Sequence, residues 1–122
     1  MAGPGVYNFT IYQRARFYRE ITYRDADDVV VNLSAHTAVL EVRDSGDNLI
    51  VRLSTSPSAG EGTITLDATA PNIIWAIADD DTQDLPANQA GTYDFVLIDA
   101  AGEVDEPLLT GAVPIRKAIV HP

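Results

Sequence analysis

The sequence predicts an all-β domain, an antiparallel sandwich of about eight or nine strands with one short helical turn near residues 79–85. Three observations carry that prediction. Apolar residues recur mostly at every second position, not at helical spacing. Turn compositions punctuate the chain at short intervals, as in Asp25-Ala26-Asp27-Asp28 and Asp44-Ser45-Gly46-Asp47-Asn48. No stretch between those turns reads as a long helix. Strand number and spacing give the sandwich immunoglobulin-like proportions.

The elements follow in order. Val6-Tyr7-Asn8-Phe9-Thr10-Ile11-Tyr12 alternates aromatic and aliphatic residues with polar ones. Residues 15–24 continue the period: Ala15, Phe17, Ile21 and Tyr23 share one face, and Arg16, Tyr18, Glu20, Thr22 and Arg24 the other. Arg19 falls on the inward row between Phe17 and Ile21. A buried guanidinium there needs a carboxylate, a snorkelling path, a bulge or a neighbouring subunit. Val29-Val30-Val31-Asn32-Leu33 reads as a short buried strand, and Ser34-Ala35 as a connection to the alternating run His36–Arg43. A hairpin loop then leads to Leu49-Ile50-Val51-Arg52-Leu53.

Ser54–Gly62 is a loop rich in Ser, Pro and Gly, followed by the strands Thr63–Leu66 and Asn72–Ile77. Asp79–Pro86 is the helical turn, capped by an Asp and stopped by Pro86. Gly91–Asp99 places Tyr93, Phe95 and Leu97 on one face, and Leu108–Ile115 is the last strand. Residues 1–5 and 116–122 read as arms of a single domain spanning residues 1–122.

Composition narrows the function. Cysteine is absent, which removes disulfides, thiolate metal sites and cysteine nucleophiles. No basic segment followed by an apolar run opens the chain, so no signal peptide is expected. No apolar stretch approaches the ~20 residues of a membrane span, and a soluble protein is expected. The net charge is −10, unevenly spread. Residues 1–24 hold Arg14, Arg16, Arg19 and Arg24 against Glu20, a balance of +3, whereas residues 25–115 reach −15. Arg116 and Lys117 add +2 near the end. An acidic body repels phosphates, so neither nucleic acid nor a membrane is an expected partner. Two readings of the split stand: contact between copies or with a partner in a defined orientation, and solubility alone.

Chemical constellations are few. Asp79-Asp80-Asp81 with Asp84 offers carboxylates but lacks the glycine and distal glutamate of a calcium loop, and acids suit a first helical turn. Asp25, Asp27 and Asp28 suit a turn. His36 and His121 show no ligand or triad spacing, and no Gly-x-Ser-x-Gly elbow or phosphate-cradling glycine run exists. No enzyme activity, cofactor or metal site is expected. Trp75 reads as core, with a sugar platform as the alternative. Arg14, Arg16, Tyr18 and Arg24 read as a protein interface, since Arg and aromatic residues are enriched in interface cores. Arg19, Arg116 and Lys117 join them.

The order of these pieces carries a resemblance. Phe9-Thr10-Ile11-Tyr12-Gln13, Phe17–Tyr23 and Arg24-Asp25-Ala26-Asp27 lead into Val31-Asn32-Leu33-Ser34, Asp44-Ser45-Gly46 and Leu49–Ser54. Gly60–Asp67, Asp81-Thr82-Gln83-Asp84-Leu85-Pro86, Gly91–Phe95 and Leu108–Val113 follow. The chain resembles small β-sandwich structural proteins of tailed bacteriophages, and is similar to the immunoglobulin-like N-terminal domain of phage upper baseplate proteins. It departs from that pattern where Arg14 and Arg16 flank Ala15 without the usual glycine after Gln13, at Arg19, and at Asp28 in place of a turn glycine. The resemblance implies a non-enzymatic virion component of the tail, baseplate or head–tail region, assembled in the host cytoplasm. Its partners would be other virion proteins and copies of itself. A capsid decoration protein, or a carbohydrate- or receptor-binding module, are the alternatives.

Overall fold

The alternating runs pair into two layers over one core. The computed structural model describes residues 5–105 and 107–117. In chain order these form β1 (Gly5–Val6), β2 (Ile11–Tyr12), β3 (Phe17–Ile21), β4 (Thr37–Arg43), β5 (Leu49–Ser54), β6 (Gly62–Leu66), β7 (Ile73–Ile77), α1 (Asp79–Thr82), β8 (Gln89–Ile98) and β9 (Leu109–Arg116). One layer runs β9-β8-β4-β5, with β1 and β2 laid parallel along β9. The other runs β6-β7-β3. A two-residue parallel contact, Leu53 to Gly62 and Ser54 to Thr63, turns the corner between them. Gly62 is required there: a Cβ would lie 2.6 Å from Leu53 Cγ and 2.8 Å from the Ala76 carbonyl. The remaining pairings are antiparallel. This is an immunoglobulin-like sandwich.

The core is aromatic at its centre. Trp75 of β7, fully buried, packs across the layers against Phe95 and Tyr93 of β8, at 5.2 and 5.8 Å between ring centroids. Phe9 closes the cluster at 5.5 Å from Trp75 and 5.1 Å from Phe17. The buried Tyr93 hydroxyl donates to the Tyr7 carbonyl at 2.6 Å, and burial pushes its pKa well above the ordinary phenol value. The chain start follows β9 throughout: Gly5, Tyr7, Phe9 and Gln13 amides donate to Leu108, Thr110, Ala112 and Arg116 carbonyls. Asn8 Oδ1 adds an acceptor for Ala112 N at 2.9 Å. Gly111 admits this close approach, since a Cβ there would meet the Tyr7 carbonyl and Asn8 Oδ1.

Several expectations are corrected. Residues 29–33 are not a buried strand: only a bridge between Arg24 and Val30 forms, and Val29 is 58% exposed. The segment folds back on residues 23–25, and the buried Asn72 side chain takes up its backbone groups in place of a ladder. Ala15 is exposed, because residues 13–15 turn before β3 begins at Phe17. The helical turn has Ala78, not an Asp, at its N-cap; Asp79 Oδ1 instead accepts from Asp80 N. Gly5 belongs to β1 and Arg116 to β9, so neither is part of an arm. Residues 1–4, 106 and 118–122, with His121, lie outside the described residues. Among the described residues no helix is long and apolar enough to cross a membrane.

The β4–β5 loop is organised by one side chain. Asp44 Oδ1 accepts from Gly46 N at 2.9 Å and Asn48 N at 3.0 Å. The Asn48 bond above all, and the Gly46 bond, hold the carboxyl below its usual range. A folded-state pKa below the unfolded one stabilises above the unfolded value, and that contribution is lost as pH falls through the folded one. Asp44→Ala should therefore lower the melting temperature near neutrality and lower it less in acid. Melting curves of both proteins across pH check this; a constant gap would refute it.

Candidate protein–protein interface

The basic residues are placed by a short turn. Tyr12 of β2 pairs with Arg116 of β9, and Gln13 N donates to the Arg116 carbonyl at 2.9 Å. This backbone contact brings the turn that holds Arg14 to the end of β9, where Arg116 and Lys117 stand. Gln13 Nε2 donates to the Leu85 carbonyl at 2.6 Å, and the buried Thr82 hydroxyl donates to the Ala15 carbonyl at 3.0 Å. The turn is thereby fastened to α1 and the loop after it. Arg14 has φ of 62°, the left-handed region. That conformation costs a non-glycine residue roughly 1–2 kcal/mol. The missing glycine and the Asp28 departure both fall at such positions, Asp28 having φ of 63°.

Along β3 the charges lie on aromatic rings. The Arg16 guanidinium sits 4.7 Å from the centre of the Tyr18 ring. The Tyr18 hydroxyl donates to Glu20 at 3.1 Å. Partial desolvation and that bond raise the phenol pKa. Arg19 does share the inward row, but it snorkels: its guanidinium covers the Phe17 ring at 4.8 Å and donates to the Tyr18 carbonyl at 2.8 Å. Among the described residues strand β3 pairs with β7 alone, and its other edge is lined by charged side chains.

Ion pairing separates the cations. Arg24 pairs with Asp28 at 3.9 Å, Arg43 with Glu41 at 2.8 Å, and Arg52 with Glu41 and Glu61 at 3.2 and 3.4 Å. Among the described residues, Arg14, Arg16, Arg19, Arg116 and Lys117 form no ion pair. The structure therefore gathers six of the expected interface residues, Arg14, Arg16, Tyr18, Arg19, Arg116 and Lys117, around the turn and the edge strand. Arg24 does not join them. It lies beyond the far end of β3, paired within its own turn.

Three contributors were not anticipated. Tyr12 is 51% exposed beside Arg116; alternation with Ile11 carries that signal. Gln13 and Thr82 fasten the turn through contacts 72 and 67 positions apart, for which no sequence signal exists.

The other candidates dissolve into structure. Asp25 Oδ1 accepts from Asp27 N and Val29 N, as a turn residue does. Among the described residues no three His, Asp or Glu side chains converge as metal ligands. Trp75 is core, so the sugar-platform alternative loses its tryptophan. A shallow concavity of about 550 Å³ on the outer face of β4 and β8 includes Glu41, already held by Arg43 and Arg52.

No family model matches the chain, and no curated protein does. Two solved structures are similar to the chain. The extracellular domain of the voltage-gated sodium channel β4 subunit, described as a parallel homodimer, is 8% identical over 98% of both chains with a TM-score of 0.44. The first immunoglobulin-like domain of human CD48 is 16% identical over 100% of this chain and 92% of that one, with a TM-score of 0.41. These are likenesses of fold to an immunoglobulin-like class.

Proposed function

We propose that this chain is a non-enzymatic structural component of a tailed-phage virion, in the tail, baseplate or head–tail region, that works through protein–protein contacts at its basic edge. The observation that supports it is the cluster of cations at the β2–β3 turn and the end of β9 that form no ion pair among the described residues. The virion assignment itself rests on the resemblance in the sequence. Exposed Tyr12 and Tyr18 supply apolar anchors beside the charges. The charges set orientation and encounter rate with an acidic partner surface more than affinity.

Particles made by the genome that encodes this chain provide the test. Its peptides should co-purify with density-banded particles at a fixed copy number; a chain found only in the soluble fraction overturns the reading. Arg14→Glu with Arg16→Glu should reduce incorporation while leaving the melting temperature close to that of the unaltered chain. Arg14→Gly should weaken incorporation yet leave stability unchanged or raised by up to about 1 kcal/mol, since glycine accepts φ of 62° without strain. Full incorporation of both variants would remove the basic edge from the interface.

A further inference from the structure

The basic turn has an acidic neighbour that it does not neutralise. Thr82 closes α1 and bonds to Ala15, so the carboxylates of α1 stand beside the arginines of the turn. Asp79, Asp80 and Asp84 are exposed and Asp81 half-exposed. None of the four forms an ion pair among the described residues, and neither do Arg14, Arg16, Arg116 and Lys117. Four cations, on the β2–β3 turn and at the end of β9, thus share one end of the sandwich with four carboxylates, three on α1 and Asp84 just after it. A surface that carries both signs in this way can complement itself after a half-turn.

We infer that this end of the sandwich is a two-fold interface between two copies of the chain, the β2–β3 turn of each seated against α1 of the other. The inference rests on the basic-edge reading above and names its partner as a second copy. A two-fold contact uses the same patch on both subunits, and each cation then meets a carboxylate twice over. The exposed Tyr12, paired with Arg116, stands among the cations and supplies an aromatic anchor. The isolated chain, with a net charge of −10, would otherwise repel its copies, so the contact must be directional.

Sedimentation of the purified chain tests this. A dimer is expected at low salt, with its dissociation constant rising roughly tenfold or more toward about 1 M salt, where screening acts within about 3 Å. Arg14→Glu with Arg16→Glu should be monomeric alone, and so should Asp79→Lys with Asp80→Lys. Mixing the two should restore a dimer, because each altered group of charges then faces its complement. Melting curves confirm that both variants are folded. A wild-type monomer at every salt, a complex larger than two, or a mixture that stays monomeric would overturn the two-fold contact. If Arg14→Glu with Arg16→Glu is still lost from particles in those cases, the basic edge serves a different partner and the broader reading stands.

Discussion

Trp75→Ala is expected to lower the unfolding free energy by about 3–5 kcal/mol, the range for deleting a large buried aromatic side chain. That is a large share of the roughly 5–15 kcal/mol that holds a small domain folded. Trp75 is fully buried and touches rings contributed by the chain start and by β8. Its loss therefore loosens the two layers and the first segment together. Trp75→Phe should cost distinctly less. It keeps a ring at the crossing point and removes a buried indole N–H that finds no acceptor among the described residues. Urea unfolding of the three proteins checks the order. Equal costs for Ala and Phe would show that packing across the layers does not decide stability.

Asn72→Asp is expected to be similarly severe, at about 3–5 kcal/mol, the range for an uncompensated buried charge. Asn72 is fully buried, its Oδ1 accepts from Tyr23 N at 2.7 Å, and its Nδ2 donates to the Tyr23 and Val31 carbonyls at 3.0 and 2.8 Å. An aspartate keeps the first bond and turns a second acceptor toward two carbonyls. Burial raises the pKa of such a carboxyl, so the folded state favours its protonated form. The cost is then full above the raised folded-state value, shrinks as pH falls toward the unfolded-state value, and is absent below it. Asn72→Ala carries no such pH dependence, although it should expose the Tyr23 amide to hydrogen exchange. Exchange and urea titrations at acid and neutral pH separate the two variants; an Asn72→Asp penalty that does not diminish in acid would contradict the network.

The strands that the sequence reveals best are those whose two faces meet different surroundings. Tyr93, Phe95 and Leu97 alternate with exposed or half-exposed neighbours, and period two reads directly onto β8. The same holds for Ala38, Leu40 and Val42 in β4. The apolar run Val29–Val31 misleads because its backbone bonds go to Tyr23, Asp25 and, for the Val31 carbonyl, a side chain 41 positions away, interactions with no periodic signature. Residues 13–16 mislead differently. Alternation extends past Phe17 toward Ala15, but the Gln13 and Thr82 contacts impose a turn, and Arg14 takes a conformation its own preferences oppose. Composition alone singled out the cations that the structure leaves without an ion pair among the described residues. Their separation from Arg24 depends on which cations find carboxylates in three dimensions, and that is a property of the folded chain.

The parallel alignment of residues 5–13 with β9 has a mechanical consequence. Chain direction is the same in both, so tension applied through residue 5 and residue 116 pulls the two segments lengthwise past each other. The amide bonds from Gly5, Tyr7, Phe9 and Gln13 then bear the load together instead of opening in succession. Bonds that join positions as far apart as 104 residues thus act as a shear clasp, the loading geometry that best resists extension. A domain closed in this manner suits a place where force passes along the chain.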